Sequence, residues 1–192
     1  MVMTSKKRLH QQFSELDNAV FSAFCNSFQG ISWSADFKDL TDEFCGIDVQ
    51  LTAQTNTKEM TYDIELKSRV TLYNFNIAKD CFFEVDKWYQ LVHWDNDKKL
   101  YIAIYPNCDK IAIWNVNSKL LDSSEKDLVM MNYSFCGQRY QVEKQVYRFK
   151  MTDAKVYDYD LTPYRDKYNA LYQQIAKQKD KMEKTFQQQE TQ

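Results

Sequence analysis

The chain has 192 residues and a formal net charge of −2, with 44% hydrophobic and 15% aromatic residues but only 3 Gly and 2 Pro. That length suits one domain, or one domain with a helical appendage, and suffices for a core without staples. The aromatic content and small net charge exclude disorder over most of the chain, the scarcity of Gly and Pro excludes collagen-like and Gly/Pro-rich classes, and the acidic balance offers no general attraction to nucleic acid.

The N-terminal stretch MVMTSKKRLH carries a basic cluster, Lys6–Lys7–Arg8, with no apolar run behind it, and is not read as a signal peptide. Leu9, Phe13, Leu16, Val20, Phe21 and Phe24 then recur at steps of three and four, which predicts an amphipathic helix over residues 9–28. Residues 30–43, with Trp33 and Phe37, follow neither the helical nor the strand period. From residue 46 the period is two. Ile47, Val49 and Leu51 alternate with Asp48, Gln50 and Thr52, and after a polar turn Tyr62, Ile64 and Leu66 alternate with Asp63, Glu65, Lys67 and Arg69. The two runs predict a hairpin with one apolar and one polar face.

Residues 80–93 are expected to form a second helix, with Phe82, Val85, Trp88, Tyr89 and Val92 along one side and Asp80 as its N-cap. Two strands follow, 100–105 and 111–116, joined by the turn PNCDK. Residues 122–133 read as a short helix, and 144–150 and 155–160 as late strands. Thr162–Pro163 opens a C-terminal helix, Thr as N-cap and Pro in the first helical position, with a stripe of Tyr164, Tyr168, Leu171, Ile175, Met182 and Phe186. No apolar run is long enough for a membrane span. Cys25, Cys45, Cys81, Cys108 and Cys136 are scattered and form no C-x-x-C pair, so they are expected to be reduced core thiols rather than zinc ligands.

The polar face of the hairpin carries the chemistry. Strand interiors disfavour Asp, Glu and Lys, yet Asp48, Glu65 and Lys67 fall in the two predicted strands, with Glu65 and Lys67 on one face. Two carboxylates on adjacent strands suit a hard divalent cation, and a neighbouring lysine suits the orientation of an attacking water and the charge of a phosphorane. That is a minimal kit for metal-assisted phosphodiester hydrolysis. A solvated cross-strand salt bridge uses the same residues.

The pieces GIDVQL with Asp48 and YDIELKSR with Glu65 and Lys67, sixteen residues apart from Asp to Glu, resemble the core signature of the PD-(D/E)xK nuclease superfamily, the restriction-endonuclease-like fold that includes Holliday-junction resolvases. FFEVDKWYQL resembles the helix that often follows the motif, and KLYIAIYP with KIAIWNV its closing strands. Cys45–Gly46–Ile47 stands before Asp48 in place of the nominal Pro. The resemblance covers about two-thirds of the chain, in the order helix–strand–strand–helix–strand.

It implies an α/β fold with a central mixed sheet of about four or five strands, a nuclease-like domain over residues 1–160 and a C-terminal helix and polar tail over 161–192. It implies DNA as partner and Mg²⁺ or Mn²⁺ held by Asp48, Glu65 and the backbone carbonyl of Leu66, with Lys67 positioning and activating water and cleavage leaving a 5′-phosphate. Lys87 on the following helix and Glu15 on the first are accessory candidates, with Asp17 competing for the place of Glu15. Arg69 is a further accessory candidate, as a phosphate contact. Each has a plain counterpart: Lys87 pairing with Glu84 along one helix, Glu15 merely solvated, Arg69 at a solvated strand end, Asp63 an outer-shell or exposed residue. Exposed aromatics suit base stacking, but core packing fits most of them better. The expected compartment is the cytoplasm of a bacterial cell or a phage-infected host. The other functional class is a non-catalytic nucleic-acid-binding or assembly protein on the same fold, self-associating through the C-terminal helix. Residues 11–160 hold 16 basic and 23 acidic residues, a net of −7, so any grip on phosphates has to come from local lysines and arginines.

Overall fold

The computed structural model describes residues 5–38, 47–93, 96, 98–132 and 141–189, with side chains except those of 5–8, 10, 131, 132, 141, 142 and 178–189. Cys45, Trp94 and Cys136 lie outside the described residues, as do the side chains of Lys6, Lys7, Arg8, Met182 and Phe186. In chain order the elements are α1 (Ser5–Asn26), β1 (Ser32–Phe37), β2 (Val49–Gln54), β3 (Glu59–Ser68), β4 (Asp80–Glu84), α2 (Val85–Val92), β5 (Lys98–Tyr105), β6 (Lys110–Asn115), α3 (Ser118–Ser123), β7 (Glu125–Asn132), β8 (Gln141–Lys150), β9 (Lys155–Asp158) and α4 (Thr162–Gln189).

The stripe on α1 is buried as its spacing requires: Leu9, Leu16, Val20, Phe21 and Phe24 all lie in the core. Gly30, at φ +75°, reverses the chain into β1, a conformation open to a residue without Cβ. β1 occupies the segment that follows neither period because it is an edge strand, exposed at most positions and without a buried face to mark it. β2 and β3 form the expected antiparallel hairpin, Val49 opposite Ile64 and Leu51 opposite Tyr62. Asp48 is not inside β2 but at the bend one residue before it.

Three expectations are corrected. Residues 80–93 are not one helix, and Asp80 is not its N-cap. The helical spacing of Phe82, Val85 and Trp88 coincides with a strand alternation, in which Cys81 and Phe83 turn inward and β4 pairs antiparallel with β8. Residues 122–132 hold the end of α3, capped by the Asn117 side chain, and then β7, which pairs along β8, while Tyr133 lies outside the described residues. The strands therefore number more than four or five. A six-stranded sheet runs β1-β2-β3-β5-β6-β9, and a separate three-stranded sheet runs β4-β8-β7. β3 and β5 are parallel neighbours, with β4 and α2 in the crossover, and the other neighbours in the large sheet are antiparallel.

The large sheet is covered on both faces. On one, Leu51, Ile64, Leu66, Ile102 and Ile104 pack with α1 and with Leu161 and Tyr168 of the C-terminal segment. On the other, Tyr101, Tyr105 and Trp114 pack with Val85 and Leu91 of α2 and with Cys81, Phe83, Tyr147 and Phe149 of the small sheet. Phe83 and Phe149 stack at 5.1 Å, and the buried Trp114 indole donates to the Lys150 carbonyl at 3.0 Å. At α4 the Leu161 carbonyl accepts from the backbone of Tyr164 and Arg165, which makes Leu161 the N-cap and puts Pro163 one position later than the sequence reading has it. Among the described residues no helix is long and apolar enough to cross a membrane.

Phe149 is fully buried between the sheets. Phe149→Ala is expected to cost about 3–5 kcal/mol in urea unfolding; a loss below about 1 kcal/mol would show that the small sheet is not integral to the fold.

Candidate functional site

β3 presents Asp63, Glu65 and Lys67, and Arg69 just beyond its end, to the side covered by α2 and the small sheet, and the two carboxylates of this row are enclosed. Asp63 is 0% and Glu65 2% exposed. A buried carboxylate needs partners to replace its water. Asp63 has them: it accepts from Lys99 Nζ at 2.6 Å, Asn96 Nδ2 at 2.8 Å and Gln50 Nε2 at 3.2 Å. Asp63 is thus an internal ion-pair residue and not an exposed one.

Glu65 is different. Lys67 Nζ stands 3.6 Å from its Oε1 and Lys87 Nζ 3.3 Å from its Oε2. Lys87 lies off the hydrogen-bonding direction, so that Oε2 accepts no aligned hydrogen bond among the described residues. Burial, and next the charge of Asp48, push the Glu65 carboxyl up to about 7. Asp48 is brought to it by the bend before β2. Its N–H reaches the Ile64 carbonyl at 2.9 Å, and its Oδ2 accepts the Leu66 N–H at 2.8 Å. The side chain thus takes the place of a backbone partner where the β2–β3 ladder ends. A strand residue's N–H and C=O leave on the same side, so the Leu66 carbonyl also points to the Asp48 edge of β3.

The structure therefore brings Asp48, Glu65, the Leu66 main chain, Lys67 and Lys87 together. Lys87 takes Glu65 as its ion-pair partner from the first turns of α2. Lys67 is held above its ordinary pKa, chiefly by Glu65, and remains a cation.

Glu15 is not in this group: it is exposed on α1 and accepts from Gln11 at 3.0 Å. Asp17 is the acidic residue of α1 that faces inward. It accepts from the Tyr168 hydroxyl at 2.6 Å, and its pKa is pushed up to about 6 by burial, against the hydrogen bond from Tyr168 and the charge of Lys67. The signal lies in the spacing, since Asp17 falls on the stripe four residues after Phe13 and four before Phe21, whereas Glu15 falls off it.

Arg69 folds inward: its Nη2 donates to the Tyr101 hydroxyl at 2.6 Å and the Phe82 carbonyl at 3.0 Å. Glu84, which the sequence leaves on a helix, closes β4 beside Lys67 and Lys87 and pairs with Lys144 of β8. Burial pushes its carboxyl up, but the hydrogen bond and charge of Lys144, with those of Lys67 and Lys87, hold it below its ordinary value.

The donor set fits a hard divalent cation. Asp48 and Glu65 repel each other at close quarters, Glu65 lacks an aligned donor, and both are oxygen ligands beside a main-chain carbonyl. Among the described residues no three His, Cys, Asp or Glu side chains converge; two carboxylates are the number Mg²⁺ commonly takes from a protein. No protein-family model and no curated protein matches the sequence.

Asp17 gives a pH prediction. Its folded-state pKa of about 6 exceeds its ordinary 3.8, so the folded protein holds this proton more tightly than the unfolded chain. The stabilisation is full at low pH and is lost as pH rises between roughly 4 and 6. Asp17→Asn, which still accepts from Tyr168, is expected to flatten that part of the profile of urea midpoint against pH. An unchanged slope would exclude a buried, proton-retaining Asp17.

Proposed function

We propose that the protein is a divalent-metal-dependent nuclease that hydrolyses DNA phosphodiester bonds on a restriction-endonuclease-like core of the PD-(D/E)xK kind. One observation carries this reading: Glu65 is buried with Lys67 and Lys87 within 3.6 Å of it, and its carboxyl is raised by that burial and next by the charge of Asp48. Strained proton affinities in a cleft with named charge partners are characteristic of functional sites. Support also comes from the order of elements. α1, β2, β3, α2 and β5 occur in the sequence helix–strand–strand–helix–strand of the resemblance, with β1 and β4 added between them.

In this reading Asp48, Glu65 and the Leu66 carbonyl hold Mg²⁺ or Mn²⁺. When bound, such an ion polarises a phosphoryl oxygen and acidifies a coordinated water. The chain's own residues do the rest. The Leu66 N–H fixes the Asp48 carboxylate at the end of the β2–β3 ladder. Lys67, 45% exposed and kept protonated by Glu65, donates hydrogen bonds and positive charge to the attacking water and to the phosphorane. It is not the proton acceptor. Lys87, more enclosed, holds Glu65 from the helix side. DNA is gripped through such local cations, since the body of the chain is acidic.

A plasmid and branched-DNA cleavage assay tests this. Mg²⁺ or Mn²⁺ is expected to be required and chelation to abolish turnover. Asp48→Ala, Glu65→Ala and Lys67→Ala should each lower the rate by about 10²-fold or more. Equal metal-dependent activity in Asp48→Ala and wild type sinks the assignment. DNA binding without turnover in either metal would instead favour a non-catalytic binding protein on this fold.

A further inference from the structure

A small pocket of about 30 Å³ lies beside Glu65, walled by Lys67, Arg69, Phe82, Glu84, Lys87 and Tyr101 among others. Two of its wall residues have a buried polar atom that meets no hydrogen-bonding partner among the described residues: Oε2 of Glu65 and Nε of Arg69. One accepts and the other donates. The Lys87 ammonium at 3.3 Å compensates Oε2 only in part, and Nε left unmet would carry its own desolvation penalty.

The two groups are drawn toward each other by the register of the sheet. Arg69 lies four residues beyond Glu65, one residue past the end of β3, and its Nη2 donates to the Tyr101 hydroxyl at 2.6 Å. Tyr101 stands directly opposite Glu65 on β5. Arg69 and Glu65 thus both contribute to the wall of this pocket, with Tyr101 the hydrogen-bond partner of one and the register partner of the other. Even so, the ion-pair partners of Glu65 are Lys67 and Lys87, not Arg69. Both groups line the same pocket.

We infer that one water molecule occupies this pocket, accepting from Arg69 Nε–H and donating to Glu65 Oε2, and that Arg69 is thereby a positioning residue for Glu65. The chemistry of the wall selects water. An anion would satisfy Arg69 but face the Glu65 carboxylate, while a cation would satisfy Glu65 but face Arg69, Lys67 and Lys87. A neutral molecule that both donates and accepts meets both atoms, and the volume holds about one or two waters. Arg69 is itself anchored to Tyr101 and to the Phe82 carbonyl, so the water ties one oxygen of Glu65 to the fixed interior and leaves the other turned toward Lys67. The water stands on the geometry alone; the positioning role rests on the metal-site reading above.

The test has two parts, both on the full chain. An atomic-resolution crystal structure without added metal is expected to show one water about 2.7–3.2 Å from both Arg69 Nε and Glu65 Oε2. No density there, a side chain in the pocket, or an anomalous peak from crystals grown in bromide overturns the inference. Calorimetric Mn²⁺ titration is expected to show Arg69→Met binding about tenfold or more weaker than wild type, as for other residues that orient a metal ligand, with Arg69→Lys restoring part of the loss. Cooperative urea unfolding checks that each variant is folded. A folded Arg69→Met that binds Mn²⁺ like wild type overturns the positioning role. Wild type that takes up no Mn²⁺ overturns the metal reading and that role with it, and the crystal density still decides the water.

Discussion

β3 buries two carboxylates two residues apart on one face, and the protein treats them in opposite ways. Taking a carboxylate out of water costs several kcal/mol even after relaxation unless partners replace the water. Asp63 is given a lysine and two side-chain amides, all within 3.2 Å. Glu65 is given two lysines at 3.3 and 3.6 Å, without an aligned bond to Oε2, and a second carboxylate alongside. The contrast separates a structural ion pair from a poised group. Asp63 would gain little from an added cation, because its charge is already met. Glu65 would gain much. A fold that can saturate one buried carboxylate and leaves its neighbour unsaturated is keeping a local conflict of the kind expected where chemistry is done.

The small sheet creates that conflict. The hairpin alone would leave Glu65 and Lys67 in water, where a salt bridge is worth little. Cys81 and Phe83 of β4, with Tyr147 and Phe149 of β8, close over Tyr101 and Trp114 and shut the polar row in with them. These aromatics bury large areas and contact one another, Tyr101 with Phe83 at 5.2 Å and Phe83 with Phe149 at 5.1 Å. Their burial offsets the cost of enclosing charge beneath them. The site is thus a product of segments 80–84 and 141–150 closing on a strand that ends at residue 68.

This explains what the sequence disclosed and what it concealed. β2 and β3 are legible because each alternates apolar with polar residues, β5 and β6 because each is a short apolar run bounded by a polar turn, and α1 because its stripe is complete. Asp48, Glu65 and Lys67 are legible as a break in strand composition. The enclosure of the polar face is not, since it depends on long-range pairing of β4 with β8, and β4 itself satisfies a helical spacing through Phe82, Val85 and Trp88. β7 is concealed because it is a sheet edge with Leu128 and Met130 exposed, so no buried face orders its pattern. Asp17 was within reach of periodicity, lying on the buried stripe of α1, while Glu15 drew attention only as an acidic residue on the right helix. The pairing of Lys87 with Glu65 rather than Glu84 depends on Glu84 ending a strand, which removes the shared helix that would have aligned them.

Lys67 links these parts. Its charge is felt by Glu65, Glu84 and Asp17, and Asp48 in turn adds to its hold on the proton. Lys67 holds its proton, chiefly because loss of that charge would leave Glu65, and next Asp48, without its compensation. In the proposed reaction it would therefore serve as a fixed positive charge. Lys87 and Lys144 hold Glu65 and Glu84 from α2 and β8, while the Tyr168 hydroxyl holds Asp17 from α4. Each carboxylate near Lys67 is thus also tied to a different element of the fold, so the position of this one cation depends on how α1, α2, α4 and the small sheet are packed together. Precision at Lys67 is a property of the whole assembly rather than of the E-x-K triplet that marks it.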